Sequence, residues 1–378
     1  MVFWGAGATV DDRSGQVAGG GKGQSLWRHP AVRVAISLGA LGLILLVFRD
    51  AKIAQIGHLL AEAPALLLVP LFMLAAMALD TLGWRRLMGE RGSCLTLAEL
   101  LGVRIATEGV ILSVPSGTVL SEPLTFHLLR TRCGLPGTIA VASMTARRCY
   151  IALSLGIVLV LASVTGFGIL VALSPHVVGA PGLAWVAPVA AIVLIVLALA
   201  MQGALIGGSV GEKVHRMLRA IPVDRLRRWL ERKQDSFAEV DRQLATSFSQ
   251  PGTSPAGTIF LFCAVWIVEV CESYFILRLL GAGLTFHQVF AFESLLTLLR
   301  ALAFFVPAGL GIQDLGYLTF FRALAVPDAV TVGAAFVLVK RVKELVWIAI
   351  GYAVLARMSA REPVVERAAE PARRGSSS

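Results

Sequence analysis

Residues 114–130 read VPSGTVLSEPLTFHLLR, and residues 306–322 read VPAGLGIQDLGYLTFFR. The two stretches align without a gap at a constant offset of 192 (306 − 114 = 192 and 322 − 130 = 192). The matched residues are Pro115 and Pro307, Gly117 and Gly309, Glu122 and Asp314, and Arg130 and Arg322. Pro and Gly break an apolar helix. A broken helix that bears charge and occurs twice in one membrane-bound chain is typical of a transporter core.

The rest of the chain is apolar enough to be embedded in a membrane. Of its 378 residues, 56% are hydrophobic and 15% are charged, and the apolar residues fall in runs long enough to cross a bilayer. The interrupted runs are 97–129 and 289–325, and both contain Pro and Gly. The sequence therefore predicts an all-α polytopic membrane protein. The uninterrupted runs are 32–48, 64–83, 151–173, 183–206, 258–280 and 330–355.

The basic residues predict the topology, because Lys and Arg favour the cytoplasmic side of short loops. They concentrate before the first run, after the second run, in residues 207–256 and after residue 356, whereas residues 174–182 contain none. Both termini are therefore predicted to lie in the cytoplasm. About six full transmembrane helices and two re-entrant hairpins satisfy this pattern. One hairpin enters from the cytoplasm at 97–130, and the other enters from outside at 289–322. Full crossings by the broken segments, about ten spans in all, satisfy the pattern equally.

This topology divides the chain into an inverted repeat within one integral membrane domain, residues 31–358. The first repeat covers about residues 64–173 and the second about 257–356. Their opening spans run in opposite directions across the membrane. Residues 207–256 are predicted to be an amphipathic linker on the cytoplasmic face. The polar ends, residues 1–30 and 359–378, are predicted to be disordered cytoplasmic tails without a signal peptide.

The two breaks are the predicted working site, because backbone groups left without partners there cannot face lipid. They must be buried in protein or line a polar cavity. Each break is followed by an acid near the start of the second half-helix, Glu122 or Asp314. Helix capping explains either acid alone, but its recurrence in both halves favours a role in transport. The predicted hinge residues are Pro115, Gly117, Pro307, Gly309 and Gly311.

Basic residues follow each break. Some of them lie within apolar runs, where each charge costs roughly 2.5–3.5 kcal/mol, so they should pair with acids or bind an anion. Arg148 and Arg341 are the strongest candidates, because each is predicted at the start of the long span after its hairpin. The alternatives are a snorkelling anchor for Arg147 and Arg148 and a buried ion pair for Arg341. The other basic candidates are Arg130, Arg322 and Lys340, and the available acidic partners are Glu269, Glu272, Glu293 and Glu344.

Other kinds of site have no support in the sequence. The five cysteines and six histidines form no CxxC or HExxH pattern, so no metal site is predicted. No cofactor is predicted either, and the chain contains no Walker motif. The net charge of +10 comes without a nucleic-acid-binding motif, so it is assigned to topology and headgroup contact. Asp80 and Glu272 are interpreted as anchors at helix ends.

At the breaks the sequence resembles a known family. Residues 116–130 (SGTVLSEPLTFHLLR) resemble the G-G-x-x-x-x-E-P…L-L segment of the lysylphosphatidylglycerol synthase transmembrane-region family, also called the flippase-like family. Residues 306–316 (VPAGLGIQDLG) and 340–351 (KRVKELVWIAIG) resemble its C-terminal P-G-G-x-G-x-x-E…R…G segment. The resemblance spans roughly residues 30–356. The chain departs from the family pattern at Ser116, Ala308 and Asp314, where the family has Gly, Gly and Glu.

The resemblance implies a lipid translocase or lipid-transport protein of a bacterial inner membrane that works on membrane lipids. The sequence Gly-Ile-Gln-Asp-Leu-Gly-Tyr at 311–317 is similar to the corresponding segment of the family branch associated with hopanoid biosynthesis. It implies hopanoids or anionic phospholipids as cargo and lipid-biosynthetic enzymes as further candidate partners. The family's aminoacyl-lipid synthases carry a soluble catalytic domain after the membrane part. Here a short tail follows the membrane part, so we expect no lysine transfer and no enzymatic activity.

Three interpretations remain open. In the first, Arg148 and Arg341 hold a polar or anionic headgroup in a cavity between the hairpins, and Glu122 and Asp314 position these bases or bind a coupling proton. In the second, the same repeat transports a small polar solute. In the third, the protein is a non-transporting scaffold for lipid (hopanoid) biosynthesis, which would tolerate loss of the hairpin charges.

Overall fold

The structure is a computed structural model, and it describes residues 52–89, 92, 95–179, 182–206, 242, 254–303, 306 and 309–360. The predicted first span at 32–48, the tail at 1–30, nearly all of the linker at 207–256 and residues 361–378 lie outside the described residues. Pro307 lies outside them as well. The described part of the chain consists of helices and contains no β-strand, which confirms the predicted all-α fold.

Ten α-helices make up the described part of the chain, with a short 3₁₀ turn at Pro64–Leu68 after the first. In chain order the helices are α1 (Ile53–Glu62), α2 (Val69–Leu87), α3 (Leu97–Ser113), α4 (Gly117–Thr131), α5 (Gly137–Val178), α6 (Leu183–Ile206), α7 (Pro255–Leu279), α8 (Phe286–Leu302), α9 (Ile312–Ala323) and α10 (Ala329–Ala360). The predicted first repeat contains α2 to α5, and the predicted second repeat contains α7 to α10.

Four helical segments of the described residues are long and apolar enough to cross a bilayer. They are Pro64–Leu87, Gly137–Val177, Leu183–Leu205 and Pro255–Leu279. The polytopic character of the chain is thereby confirmed, while the number of full spans stays a prediction. Helix α10 has 32 residues, which is about 48 Å at 1.5 Å per residue, but charged residues at 340–344 interrupt its apolar run.

The order of helices in the first half recurs in the second. Helices α2 and α7 end at Leu87 and Leu279, and α5 and α10 begin at Gly137 and Ala329, in both cases 192 residues apart. Helices α3 and α8 each have 17 residues and correspond at an offset of 189, from Leu97 to Phe286. Each of these two helices begins with a capping box, which satisfies its first backbone N–H groups.

Equivalent helices of the two repeats pack against each other in opposite directions. Near the start of α2, the Phe72 ring lies 5.3 Å from the ring of Phe275, near the end of α7. Near the end of α2, Gly83 packs against Phe262, near the start of α7. The two helices are therefore antiparallel, which is the relation that an inverted repeat requires. The orientation of the repeats relative to the membrane stays a prediction.

The first hairpin folds back over a turn of three residues between α3 and α4. Ser116 in this turn has a left-handed backbone, with φ of 57°. A Cβ atom at Gly117 would lie 2.5 Å from the carbonyl oxygen of Ile111, so only Gly fits there. Helices α3 and α4 have 17 and 15 residues, about 25 and 22 Å, which is short of the roughly 30 Å of a bilayer core. The re-entrant placement of the hairpins in the membrane stays a prediction.

Each hairpin packs on the long helix of the other repeat. Helix α3 crosses α10 where Gly109 meets Gly351, and a Cβ atom at Gly351 would lie 2.7 Å from the Cα atom of Gly109. Helix α8 packs on α5 where Ala291 contacts Gly166. Small residues let helices in a membrane approach closely. Because each hairpin packs on the other repeat, the two hairpin turns lie on opposite sides of one cavity.

Candidate functional site

A cavity of about 370 Å³ lies between the turns of the two hairpins. Gly117 and Thr118 line it from the first hairpin, and Val306 and Gly309 line it from the second. The remaining wall holds six basic and five acidic side chains. The first repeat supplies Asp80, Arg104, Glu108, Arg147 and Arg148. The second repeat supplies Glu269, Glu272, Arg300, Lys340, Lys343 and Glu344.

Asp80 is the centre of the charged network in the first repeat. Its carboxylate accepts a hydrogen bond of 2.7 Å from Arg104 Nε and one of 2.8 Å from Arg147 Nε. Arg104 also pairs with Glu108, and Arg147 lies over the ring of Trp84 at 5.0 Å. The interpretation of Asp80 as a helix-end anchor was wrong. The carboxylate is buried within α2, and the two arginines compensate for its loss of water.

Glu272 takes the corresponding place in the second repeat. It accepts a hydrogen bond of 2.6 Å from Lys343 Nζ, and its Oε1 lies 3.9 Å from Lys340 Nζ. Lys340 also donates a hydrogen bond of 2.9 Å to Glu293. Glu272 is 2% exposed, so its interpretation as an anchor at a helix end was wrong for the same reason.

The predicted acids form ion pairs with the two favoured arginines. Glu122 Oε1 accepts a hydrogen bond of 2.7 Å from Arg148 Nε. Asp314 Oδ1 lies 2.5 Å from Arg341 Nη2, and Arg341 also pairs with Glu344. The acids of the two repeats are 192 residues apart (314 − 122 = 192), and the arginines are 193 apart (341 − 148 = 193). The same ion pair therefore occurs in both repeats, with the base shifted by one residue.

The capping interpretation holds for one of the two acids. Asp314 Oδ2 accepts a hydrogen bond of 2.9 Å from the backbone N–H of Gly311, so this acid caps α9 and also pairs with Arg341. Glu122 is the sixth residue of α4, and no acid lies in the first turn of that helix. The prediction that Glu122 lies near the helix start was therefore wrong. The Glu122 carboxylate pairs with Arg148, and no acid caps the start of α4.

The two favoured arginines also lie deeper in their helices than predicted. Helix α5 begins at Gly137 and α10 begins at Ala329, so Arg148 and Arg341 each lie about three turns after the start. The apolar run at 151–173 suggested a later start for α5, whereas the run at 330–355 begins within one residue of the start of α10. Charged residues continue a buried helix here because each has an acidic partner from a neighbouring helix.

Two of the ion pairs differ from the rest in accessibility. The side chains of Arg148 and Glu122 are 40% and 35% exposed, and those of Arg300 and Glu269 are 36% and 31% exposed. The other ion pairs of the cluster have side chains no more than 15% exposed. Most of the buried pairs join side chains of different helices. Of the two accessible pairs, Arg148, Arg300 and Glu269 line the cavity, whereas Glu122 does not.

The structure does not bring every predicted residue to the cavity. Arg130 and Arg322 are exposed in the last turns of α4 and α9, where positive charge suits the helix dipole. Neither of them lines the cavity, and the predicted Glu122, Asp314 and Arg341 do not line it either. The predicted Arg147, Arg148 and Lys340 do line it. Of the predicted hinge residues, Pro115 lies in the first turn, and Gly309 and Gly311 adopt positive φ angles of 66° and 78° in the second.

Three charged residues of the site were missed by the sequence reasoning. They are Arg104 and Glu108 in α3 and Arg300 in α8. All three lie within the interrupted apolar runs, where a charge is costly unless it has a partner or a function. That cost was the signal that could have identified them.

Comparison with known proteins identifies the family of the chain. The sequence matches the family described as the lysylphosphatidylglycerol synthase TM region over residues 31–351. The chain belongs to this family. No curated protein and no solved structure matches it. Membership of the lysylphosphatidylglycerol synthase TM family, together with the apolar helices, makes the chain a membrane-embedded protein related to lipids. Among the described residues, no group of His, Cys, Asp and Glu is arranged to hold a metal ion.

Proposed function

We propose that this protein is a lipid translocase of a bacterial inner membrane, which moves the polar headgroups of lipids between leaflets. Two observations support the proposal: a charged cavity lies between the two hairpins, with Arg148 in its wall, and the same ion pair occurs once in each repeat with different exposure. Glu122 and Arg148 are accessible, whereas their counterparts Asp314 and Arg341 are 1% and 14% exposed.

This difference is what alternating access requires. In a transporter built from inverted repeats, each repeat adopts one conformation in one state and the other conformation in the opposite state. The accessible Glu122–Arg148 pair and the buried Asp314–Arg341 pair would then exchange environments during the cycle. The turns at Gly117 and Gly309 are the points where the hairpins would move.

The size and the lining of the cavity support a headgroup as the transported part. A volume of about 370 Å³ is near the lower end of the roughly 300–1,000 Å³ that ligand pockets span. It accommodates a small polar group, while the acyl chains would remain in the bilayer. Arg148 and Arg300 would hold the headgroup, with Glu122 and Glu269 as the partners that each arginine leaves and rejoins.

The finer aspects of the proposal follow from the sequence. The cargo would be an anionic phospholipid or a hopanoid with a polar side chain. The resemblance of residues 311–317 to the hopanoid-associated branch favours the hopanoid. Transport rather than catalysis would be the activity, with both termini in the cytoplasm. A scaffold for lipid-biosynthetic enzymes would not need accessible charged side chains such as Arg148 and Arg300 in a cavity. A transporter of a small polar solute would need them, so the experiment has to separate that case.

Leaflet exchange in proteoliposomes tests this proposal. Purified protein is reconstituted with trace fluorescent phosphatidylglycerol or a fluorescent hopanoid, and the label in the outer leaflet is destroyed by an impermeant reductant. We expect a second, protein-dependent phase of quenching as inner-leaflet lipid reaches the outside. Arg148→Ala and Arg300→Ala should slow this phase, because each removes an accessible base from the cavity.

Arg322→Ala is the matched control, because Arg322 is exposed at a helix end and does not line the cavity. It should exchange lipid at the wild-type rate. If folded wild-type protein exchanges lipid no faster than empty liposomes, the translocase proposal is refuted, and uptake of small polar solutes becomes the next measurement.

A further inference from the structure

The two ends of helix α4 are packed to different degrees. Near its C-terminus, Leu128 and Leu129 are buried in one apolar cluster with residues of α3. Near its N-terminus, Val119 and Leu120 are exposed. We call residues 117–122 the α4 tip. The helix is therefore fixed at one end, whereas its tip has an outer face without packing.

The α4 tip is joined to its neighbouring helix α5 by an ion pair that is easily replaced. Glu122 in the tip accepts a hydrogen bond of 2.7 Å from Arg148 Nε of α5. The hydroxyl group of Ser121 bonds to a carbonyl oxygen within the tip itself. Because the side chains of the Glu122–Arg148 pair are 35–40% exposed, the pair contributes little to stability. Another anion that reaches Arg148 can take the place of Glu122.

Pro123 separates the α4 tip from the packed part of the helix. It is the seventh residue of α4, so it lies beyond the first turn, where Pro is tolerated. It has no N–H group to bond to the carbonyl oxygen of Val119, and its ring crowds that carbonyl group. On its other side, the tip is preceded by Ser116, whose φ of 57° ends the helical path of the chain. The tip therefore lies between two points where the chain can bend.

The α4 tip forms part of the cavity wall. Gly117 and Thr118 of the tip line the cavity, and so does Arg148, whereas Glu122 does not. The Glu122–Arg148 pair therefore connects the tip to this wall from outside the cavity. Movement of the tip away from α5 would open the wall on the side where Val119 is exposed. An exposed apolar side chain suits contact with lipid chains.

These features point to a gate. We propose that the α4 tip is a gate of the cavity, which the Glu122–Arg148 pair holds closed and which an anionic phosphate group opens by binding to Arg148. The inference rests on the proposed function, since it states how a headgroup enters the same cavity. A guanidinium group binds phosphate oxygens as well as carboxylate oxygens. Arg148 would thus exchange one anionic partner for another, without a step in which its charge is unpaired.

The corresponding part of the second hairpin is held more firmly. At the offset of 192, Leu315 takes the place of Pro123 (315 − 123 = 192), and its N–H donates a hydrogen bond of 2.9 Å to the carbonyl oxygen four residues earlier. Tyr317 of α9 donates a hydrogen bond of 2.9 Å to Glu293 of α8 and accepts one of 3.1 Å from Lys340 of α10. These contacts tie α9 to two helices, so the gate belongs to the first hairpin.

Hydrogen–deuterium exchange of the purified protein in detergent, measured by mass spectrometry, tests the gate. Backbone amides exchange faster where a helix end opens more often. Glu122→Gln and Arg148→Ala each remove the ion pair, so we expect the amides of residues 118–122 to exchange roughly two- to fivefold faster in both variants. The amides of residues 124–131 should exchange at the wild-type rate, because that part of α4 stays packed.

Two anionic probes test the opening of the gate by a ligand. Short-chain phosphatidylglycerol should accelerate tip exchange in the wild type and have no further effect in Arg148→Ala. Glycerol phosphate has the anionic group without the acyl chains. A larger response to phosphatidylglycerol identifies a lipid headgroup as the ligand, whereas an equal response identifies a free phosphate group.

Two further variants complete the test. Arg130→Ala is the matched control, because Arg130 is an exposed arginine of α4 that lies beyond Pro123 and does not line the cavity. Its tip exchange should equal that of the wild type. Pro123→Leu introduces the residue of the second repeat at an exposed position and restores the backbone N–H group. It should slow both the exchange of the tip and the transfer of lipid between leaflets.

The possible outcomes separate the gate from the translocase. Wild-type tip exchange in both Glu122→Gln and Arg148→Ala overturns the gate, and so does a wild-type protein whose tip exchange responds to neither probe. Neither of these results depends on leaflet exchange. A tip that responds to the probes in a protein without leaflet exchange refutes the translocase and leaves the gate standing.

Discussion

Replacement of Asp80 by Asn tests the distinction between buried and accessible ion pairs. Asp80 accepts hydrogen bonds from Arg104 and Arg147, and the side chains of all three are no more than 15% exposed. Breaking a buried pair by removing one partner costs about 3–5 kcal/mol. Arg104 keeps Glu108, whereas no other carboxylate contacts Arg147 in the described part of the chain. We therefore expect Asp80→Asn to lose about 3–5 kcal/mol of stability.

Glu122→Gln is the comparison, since it also replaces an acid by its amide but acts on a pair that is 35–40% exposed. Such a pair contributes about 0–1 kcal/mol. On the scaling of soluble domains of 150–250 residues, Asp80→Asn should lower Tm by roughly 6–20 °C and Glu122→Gln by less than about 4 °C. Circular dichroism of the purified protein in detergent during heating measures both.

A double variant strengthens this test. Asp80→Asn combined with Arg147→Gln removes the unpaired guanidinium as well as the carboxylate. We expect it to be less destabilised than the sum of the two single variants, by about 0.5–3 kcal/mol of coupling energy. Equal melting temperatures for Asp80→Asn and Glu122→Gln, or strict additivity in the double variant, would refute the assignment of Asp80 to a buried structural network.

Two other variants test the packing of the hairpins. Gly351→Leu should abolish folding or strongly lower Tm, because its Cβ would lie 2.7 Å from Gly109 Cα and 2.9 Å from the carbonyl oxygen of Ile105, and backbone cannot move aside. Gly168→Ala is the control, because no atom lies within 4 Å of the added Cβ. An unchanged Tm of Gly351→Leu would contradict the close crossing of α3 and α10. Ser116→Gly should raise the free energy of unfolding by about 1 kcal/mol, because Gly adopts a left-handed backbone without steric cost. Thermal unfolding measures this change, and a lower Tm would contradict the left-handed conformation of Ser116.

The sequence predicted the helices and breaks of this fold because both follow from local chemistry. Apolar runs of sufficient length must be helical in a bilayer, and Pro115 and Gly117 interrupt such a run wherever they occur. The pairing of Glu122 with Arg148 also followed, since a charge near the membrane interior needs a partner. The identity of each partner depends on how helices distant in sequence cross. The offset of 192 aligns Arg148 with Lys340 (340 − 148 = 192). In the structure, the equivalent ion pair is formed by Arg341, one residue later.

The burial of Asp80 could not be read from the sequence for the same reason. Its position next to Arg85 and Arg86 suggested the end of a span. In the structure, α3 and α5 bring Arg104 and Arg147 to the middle of the protein, and a carboxylate with two such partners can be buried there. A hydropathy profile describes each helix separately, whereas this network joins side chains of three helices, α2, α3 and α5.

The differences between the repeats carry as much information as the similarities. In the proposed transport cycle, two identical repeats would give the inward- and outward-facing states the same energy. The shared ion pairs, Glu122–Arg148 and Asp314–Arg341, are the groups that would exchange environments in that cycle. At the offset of 189 that relates α3 to α8, Glu293 corresponds to Arg104, so the two repeats differ in charge at this position. Such a difference would give the two states of the cycle different populations.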